Sequence, residues 1–213
     1  MKKFKPLGYY DYTVVLTYTG MLFAFYGIIL SINYKFFEAL FCLMIAGLCD
    51  MLDGAVASTK KRTASEKRFG IQIDSLCDLI SFGVLPAIFV YIITGKEFLI
   101  GILSAFFALA GLIRLAYYNV LEDERQNHNP EKEKNFVGLP ITASAMAMPL
   151  ACVLQHFIDK DSTYIYLIMM IICGVGYLTP VEIKNPNMKT KMFLTVIGIF
   201  LAFMLFRLGR AAR

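Results

Sequence analysis

The sequence predicts an all-α fold, a polytopic membrane helical bundle with six to seven transmembrane helices. Three observations predict it. The 213 residues are 58% hydrophobic and the mean hydropathy is +0.61, well above that of an ordinary globular domain. Several apolar runs reach about 20 residues, the length that crosses the hydrocarbon core. Most of the basic residues behind the net charge of +5 sit in short connections between those runs. That pattern reports membrane orientation and contact with anionic membrane lipids, not nucleic acid. The same long runs argue against a soluble all-α protein. All five cysteines (Cys42, Cys49, Cys77, Cys152, Cys173) lie in apolar stretches without Cys-x2-Cys spacing, so neither a zinc site nor a disulfide framework is expected. The first apolar run is long and lacks a small-residue cleavage pattern, so no cleavable signal peptide is expected. Residues 1–213 read as one membrane domain without internal repeats.

In chain order, residues 1–10, with Lys2, Lys3 and Lys5, form an interfacial lead-in. The first span covers about 11–32 and carries Thr13, Thr17, Thr19 and Gly20, residue types suited to close helix packing. The second, about 36–57, delivers Asp50 and Asp53 at its end. The connection 58–69 is rich in Lys and Arg and is expected on the cytoplasmic side. The third span, about 71–94, begins with Asp74 and Asp78 and contains Gly83 and Pro86, which predict a kink. The fourth, about 98–120, places Arg114 one to two turns inside its end. An Arg there is by default a functional candidate, for a lipid phosphate, a ligand carboxylate or one of the aspartates, with snorkelling to the headgroups as the alternative. The polar segment 121–135 reads as a loop in which His128 is solvated. A fifth span starts near 139 with Pro140 in its first turn. A sixth covers about 164–181, and a basic turn at 184–191 precedes a last apolar run at 192–206. With a cytoplasmic N-terminus, a full seventh crossing would put Arg207, Arg210 and Arg213 outside. The count therefore stands at six to seven.

The chain is organised around the stretch from Asp50 to Asp78. Asp50 and Asp53 are three residues apart and Asp74 and Asp78 four apart, so each pair shares one helix face. If the two segments are adjacent antiparallel helices, all four carboxylates converge. Four anions in or near a bilayer are costly without a counter-ion, and hard cations such as Mg²⁺ or Mn²⁺ want several carboxylate oxygens around one centre. Gly54 and Ala57 leave a smooth surface for a bulky ligand, and Gly70 allows close approach.

The pattern Asp50-x2-Asp53-Gly54-x2-Ala57, a gap, then Gly70-x3-Asp74-x3-Asp78 resembles the signature of the CDP-alcohol phosphotransferase family. Two departures stand out: the Arg expected after Ala57 is Ser58, and the gap before Gly70 is a few residues longer. The contacts of that Arg then fall to Lys60, Lys61 or Arg62. Three further stretches resemble the phosphatidylserine synthase branch: Ser81-Phe82-Gly83-x2-Pro86, Arg114-Leu115-Ala116-x-Tyr118-Asn119, and Phe136-x-Gly138-Leu139-Pro140-Ile141-x-Ala143.

The resemblance implies transfer of the phosphatidyl group of CDP-diacylglycerol to L-serine, with release of CMP. It implies Mg²⁺ or Mn²⁺ held by Asp50, Asp53 and Asp74, and Asp78 as general base that also reaches a second ion. Gly54, Ala57, Ser58, Lys61, Arg62, Gly70 and Thr13 are then expected around CDP-diacylglycerol, and Arg114 and Lys134 toward the acceptor. It further implies a homodimer in the cell membrane with the active site facing the cytoplasm. Glycerol 3-phosphate, inositol phosphate or choline as acceptor is the alternative within the same chemistry. A different class, an ion or metal transporter, would use the aspartates as an ion path. Against it, the acids cluster at one face and no paired broken helices are evident.

Overall fold

The computed structural model describes residues 7–128, 136–158, 162–183 and 188–211. Lys134 lies outside the described residues. Eight α-helices account for most of them: α1 (Val15–Ile32), α2 (Phe36–Ala57), α3 (Ala64–Asp78), α4 (Leu85–Ile93), α5 (Phe98–His128), α6 (Ser144–Ile158), α7 (Tyr164–Leu178) and α8 (Met188–Ala211). A π-helical turn, Leu79–Val84, joins α3 to α4. A short antiparallel pair, β1 (Phe136–Val137) with β2 (Glu182–Ile183), ties the connection before α6 to the one after α7. Among the described residues, six helical segments are long and apolar enough to cross a membrane: Val15–Ile32, Phe36–Ala57, Ala64–Ile93, Phe98–Glu124, Ile141–Ile158 and Phe193–Arg210. The apolar α7 is shorter, at 15 residues.

The α1–α2 hairpin is built on small residues. A Cβ on Gly20 would lie 3.1 Å from the Cβ of Cys49, and one on Gly27 would lie 3.1 Å from that of Cys42. Ala24 and Ala46 are buried between these two contacts. The small residues let the backbones approach, the usual basis of helix association in lipid. Tyr34 takes a positive φ of 60° in the connection, and the Lys35 N–H returns to the Leu30 carbonyl to close the turn. Further into the bundle, Phe36, Phe89 and Tyr166 stack edge to face at centroid distances of 5.6 and 5.4 Å, the arrangement aromatic rings prefer.

Two elements begin or end away from the positions expected from hydropathy. α3 starts at Ala64, not near 71, because Thr63 and Glu66 form a reciprocal capping box. α5 continues beyond the apolar run to His128, so the first half of the segment 121–135 is helical. Where Gly83 and Pro86 predict a kink, the helix carries the π-turn.

Candidate active site

The last turns of α2 bring Asp50 and Asp53 to the same end of the bundle as Asp74 and Asp78 of α3. Asp50, Asp74 and Asp78 each offer a carboxylate oxygen, and the three oxygens lie within 4.8 Å of one another. The carboxyls of Asp50 and Asp78 lie close together, as do those of Asp53 and Asp74. Asp53 is buried, and its Oδ2 accepts a 2.9 Å hydrogen bond from Thr17 Oγ1. Like charges at these separations repel unless protons or a cation lie among them. The donor set is all oxygen, which fits a hard divalent cation and not a soft one.

Thr17 is the residue that sequence reasoning passed over in favour of Thr13. Thr13 is buried, but its hydroxyl and main-chain N–H donate to Asp11 Oδ1. The signal for Thr17 was present: positions 17, 20, 24 and 27 form one helical stripe, and that stripe is the face of α1 that packs on α2.

The surface beside the aspartates is open. A Cβ built on Gly54 meets nothing within 4 Å, and Ala57 is half-buried. At Gly70 the picture differs, because an added Cβ would fall 2.9 Å from Arg62 Nη1. The Arg62 guanidinium thus lies across the glycine, one helical turn before Asp74. Lys60 is engaged elsewhere, with Nζ 2.7 Å from Asp11 Oδ2 and 3.3 Å from Glu66 Oε1. The Lys60 hydrogen bond, with those from Thr13, holds the Asp11 carboxyl down at about 2, and Asp11 in turn raises the Lys60 ammonium. Tyr12 and Thr59 share a 3.0 Å hydrogen bond at the same junction. Ser58, where the family pattern has Arg, is exposed and donates its hydroxyl to the Ala55 carbonyl at the end of α2. Lys61 is exposed.

Arg114 of α5 is only 8% exposed, and its buried Nε has no hydrogen-bond partner. Asp78, Tyr118 and Tyr177 are the ionisable groups that act on it electrostatically. One turn further along α5, Asn119 Oδ1 accepts a 2.9 Å hydrogen bond from Ser75 Oγ, which locks α5 to the helix carrying Asp74 and Asp78. Beyond that bond a pocket of about 650 Å³ opens between α3 and α5, lined by residues such as Arg68, Gln72, Asn119 and Asp123. None of the four aspartates lines it. Among the described residues, Asp50, Asp74 and Asp78 are the group of three side chains close enough together to hold a metal ion.

Comparison with known proteins agrees with this architecture. The family model described as CDP-alcohol phosphatidyltransferase matches residues 13–207. A Helicobacter pylori protein named CDP-diacylglycerol–serine O-phosphatidyltransferase is 32% identical over 206 residues, 92% of this chain and 80% of the relative. A Methanocaldococcus jannaschii protein of the same name is 33% identical over 153 residues, covering 71% of this chain and 65% of that protein. The archaetidylserine synthase of Methanothermobacter thermautotrophicus is 33% identical over 146 residues, 68% of this chain and 59% of the relative. With a family model that spans all but the ends and an aspartate cluster folded from the matching signature, the chain belongs to the CDP-alcohol phosphatidyltransferase family.

Proposed function

We propose that the protein transfers the phosphatidyl group of CDP-diacylglycerol to L-serine, giving phosphatidylserine and CMP. The observation that carries this reading is the convergence of Asp50, Asp74 and Asp78 beside the open face of Gly54, in a chain whose relatives carry serine phosphatidyltransferase names. The serine hydroxyl oxygen attacks the phosphorus that bears the diacylglycerol. A new P–O bond forms, the P–O bond to CMP breaks, and Asp78 takes the hydroxyl proton as general base. Mg²⁺ or Mn²⁺ held by Asp50, Asp53 and Asp74, with Asp78 able to share a second ion, would neutralise pyrophosphate charge.

Arg62 takes the place of the Arg that the family pattern has after Ala57. Its guanidinium lies over Gly70, whereas Lys60 is held by Asp11 and Glu66. A guanidinium at that position offers charge-assisted donors to a pyrophosphate. Lys61, Ala57 and Thr13 complete the nucleotide side, and Ser58 holds the end of α2 next to it. Arg114, with its unpartnered Nε, is assigned to the serine carboxylate; Lys134 is its proposed companion. The aspartates gather at one end of the bundle and not along a path through it, which favours transfer over ion conduction. That end faces the cytoplasm of the cell membrane, where the Lys- and Arg-rich connection at 58–63 belongs. The acyl chains stay among the membrane lipids. Residues 1–213 act as one domain, and the protein works as a homodimer.

The test is CMP release from CDP-diacylglycerol in detergent with Mn²⁺ or Mg²⁺, comparing L-serine, glycerol 3-phosphate and inositol phosphate. Release stimulated by serine alone supports the reading. Stimulation by another alcohol keeps the aspartate chemistry and overturns the acceptor.

A further inference from the structure

The π-turn between α3 and α4 follows Asp78 directly, and its cause is visible in the sequence. Pro86 has no N–H, so in a regular α-helix the Phe82 carbonyl, four residues earlier, would have no donor and would clash with the proline ring. The chain widens instead: the Leu85 N–H donates to the Ile80 carbonyl, five residues back. Such a turn inserts one residue relative to an α-helix, and each residue turns the helix by about 100°. The face carrying Asp74 and Asp78 is therefore set, relative to the buried face of α4, by this turn. Reversion to α-helix would swing the two aspartates off Asp50 or expose Leu85, Phe89 and Ile92, all of which are buried.

The Phe82 carbonyl, inside this turn, accepts from another helix. Ser144, at the start of α6 and 0% exposed, donates its hydroxyl to the Phe82 carbonyl at 2.9 Å. The Ile141 carbonyl, 3.1 Å from the same hydroxyl, competes for the single hydrogen. The Tyr177 hydroxyl donates to that carbonyl at 2.9 Å and is itself hydrogen-bonded to Ser144, so Ser144, Tyr177 and the two carbonyls form one buried polar network. The intervening segment is clamped on both sides. The Gly138 N–H donates to Val181 and the Leu139 N–H to Gly176, while Ile141 packs so closely that a Cβ on Gly111 would lie 2.9 Å from its Cδ1. In a water-free interior an unmet carbonyl is costly, and the compensating donor is correspondingly decisive.

We propose that Ser144 is a positioning residue for the phosphatidyl transfer: through the Phe82 carbonyl it holds the π-turn that aims Asp74 and Asp78 at Asp50. The catalytic part of this inference rests on the transferase reading above; the geometric part does not. Ser144→Ala removes the donor with almost no change in volume, and Ser144→Cys leaves a weak one. For Ser144→Ala, kcat for CMP release is expected to fall about tenfold, a typical cost for a lost buried hydrogen bond, with KM for CDP-diacylglycerol changed less than about twofold. The Mn²⁺ concentration giving half of the metal-induced thermal shift is expected to rise by about the same factor, with Ser144→Cys between the two. A variant that melts earlier without metal but keeps the wild-type kcat and Mn²⁺ half-point would overturn the proposal and leave Ser144 a packing residue. If the wild-type protein releases no CMP with any acceptor, the transferase reading fails, and the Mn²⁺ half-points alone decide the positioning role.

Discussion

Replacing Asp74 by Asn is expected to stabilise the metal-free protein while removing most of its response to metal. Three carboxylate oxygens lie within 4.8 Å of one another, so each charged pair repels by at least about 0.9 kcal/mol at the dielectric of water and about 3.5 kcal/mol at an effective value of about 20. Asp74 faces two such partners, which brackets the relief at roughly 2 to 7 kcal/mol. Its half-exposed position favours the lower end. About 2 kcal/mol corresponds to a rise of roughly 4–8 °C in unfolding temperature for a chain of this size. The assay is thermal unfolding of the detergent-solubilised protein in EDTA and again with Mn²⁺. In EDTA the Asp74→Asn variant should melt above wild type; in Mn²⁺ the order should reverse, since the wild type gains about 2.7 kcal/mol at a hundredfold excess over Kd. A variant that melts lower in EDTA, or that keeps the full Mn²⁺ shift, would refute the view of the cluster as a repulsive oxygen cage for a cation.

Three further predictions concern the surroundings of the cluster. Asp78→Asn should lower turnover by about 10²- to 10⁴-fold, the range for loss of a general base, while CDP-diacylglycerol binding measured by titration stays within a few fold; equal losses in both would contradict the base assignment. Gly54→Val places a branched side chain on the open surface beside the aspartates. It should raise KM for CDP-diacylglycerol at least about tenfold with little change in melting temperature, and an unchanged KM would mean that the nucleotide does not pass there. The Asp11–Lys60 junction should depend on pH in a stated direction. Asp11 is depressed to about 2, so its contribution is present above the ordinary carboxylate value and lost as pH falls through about 2. Lys60 is raised, so its contribution is present below the ordinary lysine value and lost only as pH climbs past the raised one. Hydrogen exchange of residues 58–63 should therefore be flat from about pH 5 to pH 9 after correction for intrinsic rates, and faster in Asp11→Asn throughout.

Much of this arrangement was legible in the sequence because it depends on spacing within single helices. Asp50 with Asp53 and Asp74 with Asp78 could be placed on shared faces from periodicity, and the long apolar runs announced the membrane bundle. Helix ends were less legible. Hydropathy put the start of α3 near 71, but Thr63 and Glu66 cap it at Ala64, and the polar residues up to His128 extend α5 by their helix propensity. Contacts between distant positions were not legible at all. Nothing local says that Lys60 is held by Asp11, that Arg62 lies over Gly70, or that Ser144 reaches the Phe82 carbonyl. Gly83 and Pro86 did predict a disturbance of the helix; its form, a π-turn completed by another helix, required the fold.

Labelled L-serine followed into lipid reports transfer to the acceptor itself. Purified protein with CDP-diacylglycerol and Mn²⁺ should convert it to phosphatidylserine in step with CMP release, and Asp78→Asn should do neither at more than about one part in a hundred of the wild-type rate. CMP release without serine incorporation, or incorporation that persists in Asp78→Asn, would contradict the account.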